Sequence, residues 1–143
     1  MSLYVDTSAL AKWYVAESDS DAFDDFIRDH PGAHISRLTV VELRCMLAQR
    51  RRNREISHKV EQAALTEFES HVRDGLLNVL AMTDAHFIAA SEILHKLPRL
   101  PLRSLDALHL AVAQSSRAGV IATADRVMAD AARALKFDIH AFH

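Results

Sequence analysis

The stretch that decides the fold is "LYVDTSALAKWYV", Leu3 to Val15. Its opening residues have β-strand character and run directly into Asp6, Thr7 and Ser8, with an apolar helical pattern close behind. Asp, Ser and Thr favour the position just before a helix because their side-chain oxygens accept bonds from its unpaired N–H groups. A strand that passes into a helix within so few residues begins a strand–helix–strand unit, so the chain opens as an α/β protein.

Working outward, β-type runs recur at Leu3–Val5, Ala33–Ser36, Leu76–Ala81, Val120–Ala122 and Phe137–Ala141. Helical periodicity fills the intervals at Ser8–Val15, Asp19–Asp29, Thr39–Arg52, Ser57–Asp74, Asp84–Lys96, Ser104–Ala118 and Asp125–Leu135. Strands separated by helices, without the Asn-Gly signals of tight hairpins, predict a mostly parallel central sheet of about five strands between two helical layers, a three-layer α/β/α sandwich. With 143 residues, three glycines and three prolines there is no linker or repeat, and "KLPRLPL" is the one proline-rich joint. Residues 1–143 are therefore expected to form a single domain.

Seventeen Lys and Arg stand against nineteen Asp and Glu, so the chain as a whole does not advertise affinity for polyanions. A polyanion has to meet a local patch, and the densest is "QRRRNRE", Gln49 to Glu55. There Arg50, Arg51, Arg52 and Arg54 crowd a helix end, where cations complement the helix dipole; phosphate binding is the second role open to them. Charged residues break every apolar stretch well short of a bilayer span, and no basic segment followed by a long apolar one marks a secretory signal. The single cysteine, Cys45, excludes an intrachain disulfide and suits a reducing compartment, so a cytoplasmic location is expected.

Parallel sheets collect ligands beyond the carboxyl ends of their strands. Asp6 follows the first strand, Glu42 falls in the first turn of the helix after the second, Asp125 follows the fourth, and Asp106 opens the helix that feeds the fourth. All four are expected on one rim. Singly, each acid reads as a helix cap: Thr39-Val40-Val41-Glu42 has the form of a capping box, Ser104 suits the helix carrying Asp106, and Thr123 or Asp125 suits the last helix. Together they repel one another unless a cation offsets the charge. Magnesium takes oxygen ligands and keeps several waters, which matches direct ligation by Asp6 and Asp106 and ligation through water by Glu42 and Asp125, with manganese able to substitute. Thr7, Ser8 and Thr123 are placed to orient waters or to donate to a phosphate.

"LYVDTSALAKWYV", "LTVVELRCML", "LRSLDALHLAVA" and "VIATADRVMADAA" stand in the order and spacing of a PIN domain, and over essentially its whole length the chain resembles the VapC-type toxin ribonucleases of type II toxin–antitoxin systems. The resemblance implies a PIN-like, Rossmann-like fold. It matches Asp6, Glu42, Asp106 and Asp125 to the family's four acids, and Ser8 and Thr123 to its hydroxyl residues. It further implies a magnesium-dependent endoribonuclease that leaves a 5′-phosphate and a 3′-hydroxyl, inhibited by a VapB-type antitoxin whose carboxyl-terminal segment covers the groove, in a protein that forms homodimers. Arg50 and Arg51 match no family motif, and their assignment to RNA binding follows from charge alone.

Other constellations are weaker. His140-Ala-Phe-His143 and Asp84-Ala-His86 lack the cysteine pair or helix signature of a zinc site. His109 lies three residues after Asp106 on the same helix face, open either to orienting that acid or to a structural hydrogen bond. An aspartyl-phosphate phosphatase would need a second Asp where Ser8 stands. A non-catalytic interaction module, in which the acids only cap helices, would bind neither magnesium nor manganese.

Overall fold

Alternation within β1 (Leu3–Val5) sets the layering. Leu3 and Val5 pack into one apolar cluster with Leu10, Phe23, Leu43 and Phe68, while Tyr4 between them points the other way, among Leu110, Ile121 and Met128. The computed structural model describes residues 2–143. Among these residues β1 is joined by β2 (Ala33–Ser36), β3 (Leu77–Leu80), β4 (Val120–Thr123) and β5 (Asp138–Ala141). All pair in parallel, in the order β3-β2-β1-β4-β5. One face carries α1 (Thr7–Tyr14), α2 (Ser20–Arg28), α3 (Arg37–Arg52) and α4 (His58–Arg73). The other carries α5 (Asp84–Lys96), α6 (Ser104–Ser115) and α7 (Arg126–Ala134).

From β1 the chain steps outward to β2 and β3, then returns to β4 on the opposite side of β1. Where the direction of winding reverses, helices leave on opposite faces and a crevice opens beyond the strand ends. Asp6 and Thr123, at the ends of β1 and β4, lie at that point.

Helix starts differ from the sequence expectation in ways that matter for the site. α3 begins two residues earlier, at Arg37, because Ser36 caps it and the Ser36 N–H donates to the Thr39 hydroxyl at 3.1 Å. Thr39 is thus the third helical residue, and Glu42 stands in the second turn rather than the first. At α6 the expected cap, Ser104, is the first helical residue; Arg103 holds the cap position, and its N–H donates back to Asp106 Oδ2 at 3.2 Å. α6 also ends at Ser115, three residues short of Ala118, because Arg117 turns left-handed (φ 58°). The Ala118 N–H then bonds Ala113 O and the Arg117 N–H bonds Gln114 O, which closes the helix.

The cap of α4 is as simple as a cap can be: the exposed Ser57 hydroxyl accepts from Val60 N at 3.1 Å. Ser57→Ala is expected to lower unfolding stability by about 1 kcal/mol, seen as a lower denaturant midpoint with an unchanged slope.

Candidate active site

Asp6 extends the β1 ladder by one bond, its N–H donating to Ala122 O at 2.9 Å, and its own carbonyl accepts the first N–H bonds of α1. Its side chain does not cap that helix. Instead Oδ2 accepts from the Ser8 and Thr123 hydroxyls, each at 2.8 Å. Oδ1 faces His109 Nε2 across 3.8 Å.

Glu42 reaches the same place from α3. Its Oε1 accepts from the Thr7 hydroxyl at 2.8 Å and, in a very short bond, from His109 Nε2. A carboxylate only accepts, so Nε2 carries the proton. The His109 ring is fully buried, and its Nδ1 lies 2.7 Å from the Tyr4 hydroxyl. Tyr4 meets it because the middle residue of β1 points toward α6.

Asp125 is a true cap: its Oδ1 accepts from Val127 N at 2.8 Å and Met128 N at 3.1 Å. Asp106 Oδ2 is held by the Arg103 N–H. The Arg103 guanidinium spans this pair, with Nε 3.5 Å from Asp106 Oδ2 and Nη2 3.6 Å from Asp125 Oδ2.

One pattern runs through all four acids. Each commits one oxygen to fixed donors of the protein and leaves the other without a hydrogen bond: Asp6 Oδ1, Glu42 Oε2, Asp106 Oδ1 and Asp125 Oδ2. Among the described residues no buried side-chain oxygen or nitrogen lacks a partner, so these free oxygens are reached by solvent.

Their charges interact. Burial pushes the Asp106 carboxyl above the usual carboxylate range, and the charges of Asp6 and Asp125 push the same way against the pull of Arg103. Burial would also raise Glu42, but the hydrogen bond and charge of His109, with help from Thr7 and Arg103, hold it below the ordinary value. Burial would lower His109; its bond to Glu42 and the charges of Asp6, Glu42 and Asp106 carry it above the ordinary value instead. Crowded carboxylate oxygens, with Asp106 raised by burial and by its acidic neighbours, fit a hard divalent cation. Among the described residues no three such side chains are drawn in closely enough to hold an ion by themselves. Magnesium asks for less, since one or two carboxylates and several waters complete its shell.

Arg50 and Arg51, assigned to RNA from their charge, sit in the last turn of α3. Arg50 pairs with Glu17 at 2.5 Å and Arg51 with Glu61 at 2.7 Å. Eight residues beyond Glu42, Arg50 is about 12 Å farther along the helix axis. The terminal histidine motif forms no metal group; His140 stacks on Phe26 at 4.1 Å. The roles of Tyr4 and Arg103 are not foreseen from sequence. Arg103 had a signal, its place three residues before Asp106; Tyr4 had none.

Solved structures share this architecture. Mycobacterium tuberculosis VapC20, described as a sarcin-ricin loop cleaving toxin, is similar with a TM-score of 0.72 and 20% identity, covering 91% of this chain and 95% of that one. VapBC2 from Rickettsia felis, bound to a DNA fragment from its promoter, is similar with a TM-score of 0.71 and 14% identity over all of both chains. FitAcB from Neisseria gonorrhoeae gives 0.70 and 18%, covering 96% and 95%. At such identities the likeness is one of fold. No curated protein sequence matches the chain. The family model of the PIN domain matches residues 3–134, from β1 through α7 and across all four rim acids, and the chain belongs to the PIN domain family.

Proposed function

We propose that this protein is a magnesium-dependent endoribonuclease of the VapC toxin type, hydrolysing RNA phosphodiester bonds and inhibited by a VapB-type antitoxin. The observation that carries the reading is the set of four carboxylates from four chain segments, each with one oxygen locked and one open. Mere capping leaves this unexplained, because Asp125 and Asp106 bond the starts of their helices whereas Asp6 and Glu42 do not. Membership in the PIN domain family and likeness of fold to a sarcin-ricin loop cleaving toxin support it.

On this reading Asp6 and Asp106 would hold the ion directly, while Glu42 and Asp125 would hold its waters. Bound magnesium, or manganese in its place, supplies a water of lowered pKa and neutralises the scissile phosphate. The protein's own part is positioning. Ser8 and Thr123 pin Asp6 Oδ2, which turns Oδ1 to the crevice. Thr7 and His109 pin Glu42 Oε1, which leaves Oε2 to orient the attacking water and take its proton. The exposed apolar residues Phe87 and Ile88 on α5 are surface that a homodimer would cover.

The direct test is cleavage of an RNA pool with the ends mapped. Cleavage with 5′-phosphate products is expected with magnesium, is expected to stop in EDTA, and to return when magnesium or manganese is restored. Undiminished cleavage in EDTA contradicts the reading. Asp125 separates its two roles: Asp125→Asn, which caps as well as Asp, is expected to keep stability, whereas Asp125→Ala loses about 1 kcal/mol. Both are expected to lose activity, by about 10-fold or more, as for other groups that act on a metal through an intermediary.

A further inference from the structure

An acidic rim repels an RNA backbone, and Arg50 and Arg51 of α3 are paired with Glu17 and Glu61. Another cationic segment ends at the rim itself. "HKLPRLPLR", His95 to Arg103, joins α5 to α6 and carries Lys96, Arg99 and Arg103 with no acid among them. Leu97, Leu100 and Leu102 anchor this strap to the core, and Pro98 and Pro101 restrict its backbone, so its cations are held in place. Its last residue, Arg103, stands between Asp106 and Asp125 with 77% of its side chain exposed. Arg126, also exposed, follows Asp125 directly.

Upstream on the strap, Lys96, Pro98, Arg99 and Ala134 border an open groove of about 410 Å³ that the partly buried Leu97 and Leu100 also line. Asp130 borders it as well, but is paired with Arg133 at 3.3 Å. Lys96, Arg99 and Arg126 make no ion pair among the described residues, in contrast to Arg44, Arg50 and Arg51. Helix stability accounts for Lys96, in the last turn of α5, and does not account for the arginines beside the acids. Arg50, Arg51 and Arg52 sit in the last turn of α3, where the dipole favours cations, whereas Arg103 and Arg126 sit at helix starts, where it disfavours them.

We propose that the Lys96–Arg103 strap is the track for single-stranded RNA on one side of the cut, an inference that rests on the nuclease reading. Lys96 and Arg99 take backbone phosphates, and the apolar lining takes an unpaired base, which a duplex would keep stacked inside. Arg103 takes the phosphate nearest the acids once a divalent ion has replaced it as their counter-charge. Charge complementarity selects a polyanion, and the apolar lining between the cations selects a single strand.

The test reads binding apart from cleavage. A protein carrying Asp106→Asn is titrated with a short unstructured fluorescent RNA across a potassium chloride series. Adding Lys96→Gln and Arg99→Gln is expected to weaken binding about tenfold and to make the slope of log affinity against log salt shallower by about 0.7 for each phosphate no longer neutralised. The control pair Lys59→Gln and Arg73→Gln on α4, equal in charge change and remote, is expected to leave the slope unchanged. Equal slopes in the strap variant and its parent overturn the inference, as does a duplex of the same sequence that binds as tightly. Cleavage by the unmutated protein is read alongside: a protein that cuts RNA yet binds it independently of the strap overturns the track alone, and one that binds through the strap yet cuts nothing overturns the nuclease reading alone.

Discussion

Replacing Asp106 with asparagine is expected to reduce RNA cleavage by about 1000-fold or more while leaving the fold intact. The amide keeps the shape of the carboxyl and can still accept the Arg103 N–H bond that opens α6, so the helix start survives. What disappears is the free anionic oxygen, Oδ1, which no other residue replaces. Stability is expected to hold or to rise slightly in the absence of metal. Asp106 has its carboxyl raised by burial and by Asp6 and Asp125, so its ionised form is disfavoured in the folded protein. The cost of that charge is absent at low pH and grows as pH rises through the carboxylate range; the neutral side chain escapes it. Urea denaturation at neutral pH without metal checks this half of the prediction, and RNA cleavage checks the other. A variant that unfolds, or one that cuts normally, contradicts it.

His109→Leu is expected to have the next largest effect, for a different reason. Leucine fills the buried space but leaves the Tyr4 hydroxyl and Glu42 Oε1 without the ring that joins them. Loss of partners for buried polar groups costs on the order of 1–3 kcal/mol. Activity and metal affinity are expected to fall by about 10- to 100-fold, the usual effect of removing a group that orients a ligand. His109→Gln, whose amide N–H can reach Glu42, is expected to recover part of the activity, which a purely space-filling role for the ring does not predict. The pH signature has a definite sign. His109 titrates higher in the folded protein than in the unfolded chain, so its contribution is complete below the unfolded value and is lost as pH rises through the folded one. The stability gap between the unmutated protein and His109→Gln is therefore expected to narrow with rising pH, measured by urea midpoints without metal.

These two residues mark where sequence reading stops. The rim position of Asp106 was legible, because in a parallel α/β chain the ends of strands and the starts of returning helices fall on one edge. The same rule placed Asp6, Glu42 and Asp125. Within each motif, local rules misled: cap preference favours Ser104 over Arg103 and the capping-box form of Thr39 to Glu42 favours Thr39, yet the bonds that Asp106 and Thr39 accept from Arg103 N–H and Ser36 N–H shift both helix starts. The Tyr4–His109 bond joins residues 105 apart in sequence. Alternation along β1 predicts which face Tyr4 takes, but only packing decides which residue of α6 it meets. The arginine run shows the same limit, since a dense charge run does not reveal that Arg50 and Arg51 pair with Glu17 and Glu61.

Everything rests on one cation held by oxygens from distant parts of the chain, and calorimetric titration with manganese measures that most directly. Saturable binding to the unmutated protein is predicted, with affinity about tenfold or more weaker in Asp6→Asn and again in Asp106→Asn. No binding to the unmutated protein, or equal binding to all three, would contradict it.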